Sequence, residues 1–258
     1  MDLKTNTLFT GKVCIYLELV GSTQQYLLEL IAKSKPIEGT AILSYNQTQG
    51  QGQRGNQWHM QAGENIAISI IFYPAFLKHS QQYHFNMAMA LAVRDCVAAF
   101  VSQRVFIKWP NDIIVENKKV GGILINASTR QHSIEYLVSG IGLNVNQKHF
   151  PADLPDATSM AILSGKNFEK EDIVAALLAY IEARYLQLKA GRSTMILDSY
   201  RAYLFKKDTM IHYRDEKGDR CKGIITGVNN SGELEVKKLS GESIEYKHGK
   251  IEIMDWYD

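Results

Sequence analysis

The chain has no dense block of lysine and arginine: 29 basic residues are set against 27 acidic ones, a formal charge of +2. That field is too weak for a dedicated nucleic-acid binder, so no nucleic-acid partner is expected. Cysteine is scarce as well. Cys14, Cys96 and Cys221 lie far apart and match no metal-ligand spacing, which leaves them as small buried hydrophobes in a reducing compartment. The seven histidines show no ligand spacing either. No apolar run reaches the roughly 18 residues of a membrane span, and residues 1–10 lack the apolar core of a signal peptide. A soluble, cytoplasmic protein with no membrane partner is expected. No internal repeat or low-complexity segment is present.

The 258 residues suffice for one large domain and a small one, and a 45% apolar content supports a sizeable core. Residues 13–19 are β-branched and aromatic and read as a first strand. Gly21-Ser22-Thr23 then offers an N-cap for a helix with Tyr26, Leu27, Leu30 and Ile31 at helical spacing. Strands are expected over 40–45 and 65–73, and a mostly apolar, Met- and Ala-rich helix over 83–100. Strands at 105–109, 113–116, 120–126 and 134–145 follow, with Asn117-Lys118 as a hairpin turn, then a long helix over 168–190. From about Lys206 the texture changes to short strands at 209–213, 222–228, 233–238 and 243–246, separated by Gly218, Asn229-Asn230-Ser231-Gly232 and Ser240-Gly241. The expectation is an α+β domain over residues 1–205, a mixed sheet with flanking helices, and a small barrel over 206–258 that packs on it.

Gly50-Gln51-Gly52-Gln53-Arg54-Gly55 matches the G-x-G-x-x-G pattern of dinucleotide-binding turns. Such a turn must open into a helix whose N-terminus holds the pyrophosphate, whereas residues 56–64 here lead into another strand. What remains is a loop able to bring backbone N–H groups, Arg54 and Trp58 over a ligand. Lys108-Trp109-Pro110-Asn111-Asp112 and Lys118-Lys119-Val120-Gly121-Gly122 place an Asn-Asp pair, a lysine and two glycines on adjacent strands, a place for a compact anionic ligand.

Together and in this order, the segment 47–58, Lys108 to Asp112, Lys119 to Leu124 and Gly140-Ile141-Gly142-Leu143-Asn144-Val145-Asn146 resemble the biotin–protein ligases over nearly the whole chain. The resemblance implies a catalytic domain like that of class II aminoacyl-tRNA synthetases and a C-terminal SH3-like barrel. It also implies biotin and ATP as substrates, Mg2+ on the phosphates, and a biotin carboxyl carrier domain as acceptor. Lys119 and Arg54 are the expected catalytic residues. Ser22, Thr23, Gln24, Gln47, Gln51, Gly52, Gln53, Lys119, Gly121 and Gly122 are expected on biotin; Gly50, Arg54, Gly55, Trp58, Asn111 and Asn144 on the nucleotide; Asp112 toward the metal. Trp58 and residues 147–159 are expected as an adenine-side cover.

Each residue also has a plainer reading: Ser22 as an N-cap, Lys119 as a solvated surface charge, Gly121-Gly122 as a β-bulge, Asn111-Asp112 as a turn, Phe150 as packing. Gln51 and Gln53 stand where many members carry arginine, leaving Arg54 as the loop's cation, and Gln24 replaces the usual asparagine. The start of the first strand near Val13 leaves no room before it for a helix-turn-helix, so the type without a DNA-binding domain is expected. Lipoate or octanoate transferases and a silent biotin binder are the alternatives. A sheet edge that also meets the carrier favours a weak homodimer.

Overall fold

The computed structural model describes residues 5–131 and 133–254. In chain order these form β1 (Cys14–Tyr16), α1 (Thr23–Lys33), β2 (Ala41–Ser44), β3 (Gly50–Gln51), β4 (Gln57–Trp58), β5 (Ile66–Phe72), α2 (Gln82–Phe100), β6 (Val105–Lys108), β7 (Asp112–Val115), β8 (Lys118–Arg130) and β9 (Ser133–Leu143). There follow α3 (Met160–Ser164), α4 (Lys170–Lys189), α5 (Ser193–Ala202), β10 (Met210–Arg214), β11 (Arg220–Val228), β12 (Leu234–Lys238), β13 (Ser243–Tyr246) and β14 (Glu252–Ile253). Seven strands make one sheet in the order β1-β2-β5-β9-β8-β7-β6, parallel only between β1 and β2.

Period-two alternation divides this sheet into two unlike faces. Leu137, Ile141 and Leu143 of β9 point into the main core with Phe85, Met89 and Val93 of α2 and Leu177, Ile181 and Tyr185 of α4. The mean apolarity of α2 follows from its position, since eleven of its residues are buried. Val138 points the other way, into a small cluster with Leu27 of α1, Ile42 and Ile71. On that second face α1 covers only part of the sheet.

The expected hairpin turn is displaced by one residue. Glu116 and Asn117, at φ 49° and 58°, link β7 to β8, both in the left-handed region that a two-residue turn of this hand demands. Asparagine tolerates that region well and drew attention to the right place, but a glutamate there gave no signal. The first strand is also shorter than residues 13–19, as suits a sheet edge. Helices α3 and α5 were not anticipated; α5 is short and breaks the helical stretch from α4 at Gly191, φ 75°.

The C-terminal unit is a five-stranded antiparallel sheet in the order β13-β12-β11-β10-β14. Its Ile211, Tyr213, Ile225, Val228, Leu234 and Val236 belong to the same buried cluster as α2 and α4. The turn at Asn229–Gly232 makes the junction: Trp109 Nε1 donates to the Gly232 carbonyl at 2.9 Å, and a Cβ at Gly232 would overlap the Tyr83 ring. Arg201 of α5 adds a hydrogen bond to the Val228 carbonyl at 2.7 Å. No helix among the described residues is long and apolar enough to cross a membrane.

One buried charge ties the N-terminal segment to α4. The Glu182 carboxylate accepts from the backbone N–H groups of Leu8, Phe9 and Thr10 at 2.6, 2.8 and 2.9 Å. Burial alone would raise its pKa, but the three donors outweigh it and hold the carboxyl below its ordinary 4.5. A depressed carboxylate contributes stability that is present above the unfolded pKa and lost as pH falls through the folded one. Glu182→Gln is expected to lower the unfolding free energy at pH 7 by about 2 kcal/mol. Urea titrations at pH 7 and pH 4 check this, because the difference between wild type and variant must shrink at the lower pH.

Candidate active site

The uncovered part of the second sheet face carries little side-chain volume apart from Leu124. Ala67 and Ser69 of β5, Gly122 and Leu124 of β8 and Gly140 and Gly142 of β9 all line it, two residues apart on each strand. Gly122 pairs with Gly142 and Leu124 with Gly140, so the floor is two rungs deep and about 7 Å from rung to rung. Above it lies a cavity of about 290 Å³. The loop Gln51–Trp58, the start of α1, the segment Lys108–Asp112 and Lys119 wall it in, and from the C-terminal unit come His248, Gly249, Ile251 and Ile253.

The end at Gly140 is neutral and dense in hydrogen-bonding groups. Gln47 Oε1 accepts from Thr23 N at 2.9 Å and from Thr23 Oγ1 at 3.2 Å, and Thr23 Oγ1 lies 2.9 Å from Ser69 Oγ. Gln24 lies across Gly140, where any Cβ would overlap its amide, and donates from Nε2 to the Leu124 carbonyl at 3.1 Å. The Gln24 side chain is longer than asparagine and closes this end of the floor. Ser22 lines the cavity and is also the N-cap of α1, its Oγ accepting from Gln25 N at 3.3 Å. The cap and the place on the cavity wall are compatible.

The end at Gly122 is charged. Asp112 receives Lys119 Nζ at 2.7 Å on Oδ1 and Lys108 Nζ at 3.6 Å on Oδ2. Burial lowers the pKa of Lys108, against the opposing pull of Asp112. His248 stands edge-on to Trp109 at 5.5 Å, and its pKa is lowered first by burial and then by Arg54. Asn111 pins this corner: its Nδ2 donates to the Ile123 carbonyl and its own carbonyl accepts from Ile123 N at 3.0 Å.

Trp58 lies at the charged end. Its indole rests on the Gly122–Gly142 rung so closely that a Cβ at Gly142 would overlap it, with Lys119 Nζ 5.6 Å from the ring centroid. Its Nε1 is buried without a hydrogen-bond partner among the described residues. The loop that carries Trp58 is a β3–β4 hairpin with no helix after it, as its failure to match a dinucleotide turn requires. Gly50 lets that hairpin close, since a Cβ there would crowd the Trp58 carbonyl and the Gln47 amide.

Of the residues expected from sequence, Ser22, Thr23, Gln24, Gln47, Gln51, Gly52, Gln53, Arg54, Trp58, Asn111, Asp112, Lys119 and Gly122 line this one cavity. Gly50, Gly55, Gly121 and Asn144 do not. Gly121 packs against the Gly142 carbonyl and Leu143 on the other side of the strand. Asn144 is buried and donates to the Thr158 carbonyl at 3.0 Å. Residues 147–159 lie beside the cavity, fastened by Lys119 N to the Asp156 carbonyl at 2.7 Å and Thr158 N to the Lys119 carbonyl at 2.9 Å. Ser69, Gly140 and Gly142 were overlooked although strand alternation places them on the site face. His248 and Gly249 had no local signal, because only the docking of the C-terminal unit brings them in.

Gly142→Ala is expected to expel Trp58 from the floor with little loss of fold, since the indole sits on a loop. Quenching of tryptophan fluorescence by acrylamide should rise in the variant, and a bound ligand's protection of that fluorescence should vanish.

The model of the Biotin/lipoate A/B protein ligase family matches residues 16–144. The bifunctional ligase/repressor BirA of Bacillus spizizenii is 31% identical over 243 residues, 93% of this chain and 73% of that protein. The biotin–[acetyl-CoA-carboxylase] ligase of Mycobacterium tuberculosis is 29% identical over 83% of this chain and 79% of its own length. The biotin protein ligase of Aquifex aeolicus, solved in complex with biotin and ATP, shares the fold at a TM-score of 0.81 and 24% identity, covering 94% of this chain and 99% of that one. A floor stripped of side chains, neutral at one end and charged at the other, thus sits within the region the family model covers, and the chain belongs to the Biotin/lipoate A/B protein ligase family, among its biotin–protein ligases.

Proposed function

We propose that the cavity binds biotin with its ureido ring against Thr23, Gln24, Gln47 and Ser69 and its carboxylate at Lys119, next to the phosphates of ATP. The observation that carries this is the change of polarity along one floor. A fused urea ring needs matched donors and acceptors once buried, an aliphatic chain needs none, and two anions need fixed cations. Gln24, Leu124 and, through Thr23 and Ser69, Gln47 gather at the Gly140 rung, and Trp58 and Lys119 stand at the Gly122–Gly142 rung. A ring without a urea group has less use for the amides of Gln24 and Gln47.

In the first step a carboxylate oxygen of biotin forms a bond to the α-phosphorus, and the bond from that phosphorus to the bridging oxygen breaks. Pyrophosphate leaves with the electron pair. Lys119 and Arg54 offset the charge that gathers where the two anions meet, and Trp58 over the floor keeps water from the anhydride. In the second step the neutral ε-amine of a carrier lysine attacks the acyl carbon, AMP departs, and the amine gives up its proton. Gln51, Gly52, Gln53 and Asn111 line the same stretch and complete the polar contacts of the two substrates. The acceptor is a biotin carboxyl carrier domain and the setting is the cytoplasm, where ATP and carboxylases meet.

Mg2+ shields the phosphates in such chemistry and prefers oxygen ligands, few of them from protein. The donor set fits that use and no other: among the described residues no group of three acidic, cysteine or histidine side chains could hold a metal, and Asp112 is the one carboxylate lining the cavity. Mg2+ would come with ATP and meet Asp112. The outer edge of β8 beyond Gly122, which β7 leaves unpaired, supports a weak homodimer or the carrier's docking strand.

Purified protein is expected to exchange labelled pyrophosphate into ATP with biotin and not with lipoate or octanoate; exchange with lipoate alone would overturn the reading. Lys119→Met should slow that exchange about 100-fold or more. Arg54→Ala should release biotinoyl-adenylate about tenfold faster in a chase experiment, the size of one charge-assisted contact. Unchanged retention would show that Gln53 or Gln51 holds the intermediate instead.

A further inference from the structure

Arg54 is the cation of the glycine-rich loop, and its backbone is unusual. It stands in the left-handed region, φ 57° and ψ 34°, which residues other than glycine adopt uncommonly. That twist turns the side chain toward the C-terminal unit. There the turn after β13, closed by Lys250 N donating to the Lys247 carbonyl at 2.9 Å, presents Gly249 at φ 93°. The Arg54 guanidinium lies on the bare Cα of Gly249, in the space any Cβ would occupy. His248, the preceding residue, lines the cavity beside it and is held edge-on by Trp109. The other two cations of the charged end, Lys108 and Lys119, are both engaged by Asp112, whereas Arg54 makes no ion pair with a carboxylate among the described residues.

We propose that Gly249 is a positioning residue for the adenylation step: its missing side chain is the seat that holds Arg54 at the cavity mouth, aimed at the nucleotide phosphates. This rests on the reading of the cavity as a biotin-adenylating site. A guanidinium already placed loses less rotamer freedom when the phosphates arrive, so the seat acts on ATP affinity more than on the bond-making rate. The seat also explains a division within the chain. The loop supplies one cation, and a residue nearly 200 positions later supplies its geometry. Because the atom in the way of a Cβ is the far end of a flexible side chain, Gly249→Ala displaces Arg54 without disturbing the core.

The test compares four proteins with the wild type: Gly249→Ala, Arg54→Ala, the double variant, and Gly241→Ala. Gly241 shares a left-handed φ of 90° but has nothing within 4 Å of a Cβ, so it reports backbone strain alone. Gly249→Ala is expected to raise the KM for ATP in biotin-dependent pyrophosphate exchange about tenfold with kcat little changed, while Gly241→Ala leaves both as they were. In the Arg54→Ala background Gly249→Ala should add nothing. Without any substrate, tryptic cleavage after Arg54, followed by mass spectrometry, should quicken in Gly249→Ala and not in Gly241→Ala. The proposal is overturned if the two substitutions multiply their effects, or if KM and cleavage both match those of Gly241→Ala. Should the wild type exchange nothing with biotin, the functional reading falls, and the cleavage rates still decide the seat.

Discussion

The site depends on a rule of strand geometry: in a sheet, consecutive residues face opposite sides, so one strand can build a core and leave a void at the same time. In β9 the residues Leu137, Ile141 and Leu143 fill the space under α2 and α4, while Gly140 and Gly142 between them leave the opposite face bare. β8 repeats the arrangement with Ile123 inward and Gly122 outward. A cavity made this way is rigid, because its floor is backbone held by ladder hydrogen bonds on a packed core. Displacing that floor means breaking the core beneath it.

The rest of the site stands on that floor at fixed heights. Trp58 can lie against β9 only at Gly142, Gln24 can cross β9 only at Gly140, and the Lys119–Asp112 pair stands in contact range of Gly122. The lysine–aspartate–lysine chain keeps three ionised groups together in a half-buried corner at a net charge of +1. Each lysine there faces Asp112, which offsets part of the cost of burying it. A ligand carboxylate or phosphate entering that corner meets positive charge already fixed in place, and no water has to be reorganised at the moment of reaction.

Much of this was legible in the sequence because it is local. The apolar runs expected as strands over 65–73, 120–126 and 134–145 became β5, β8 and β9; the serine before α1 announced its start; and the glycine loop failed the dinucleotide pattern on its own flanking residues. The turn at Glu116–Asn117 was misplaced by one because half of its left-handed pair is a glutamate, which carries no turn signal. Asn144, read as a nucleotide contact, is buried and bonded to the Thr158 carbonyl; a polar side chain at a strand end looks the same whether it serves a ligand or a loop. His248 and Gly249 were beyond reach of local pattern altogether. Their place follows from how β10 to β14 dock, and docking is written in no short segment.

That docking has a consequence for the chain as a physical object. The change of texture near Lys206 looks like a domain boundary, yet the buried cluster runs without interruption from Leu91 of α2 through Leu197 and Tyr200 of α5 to Ile211, Ile225 and Val236. Trp109 and Tyr83 clasp the turn at Gly232 from one side, and Arg201 clasps Val228 from the other. A unit of roughly 50 residues buries a small share of its apolar surface on its own and is marginal in isolation. The seam visible in the sequence is thus crossed by one continuous core, and the smaller part draws its apolar support from the larger one.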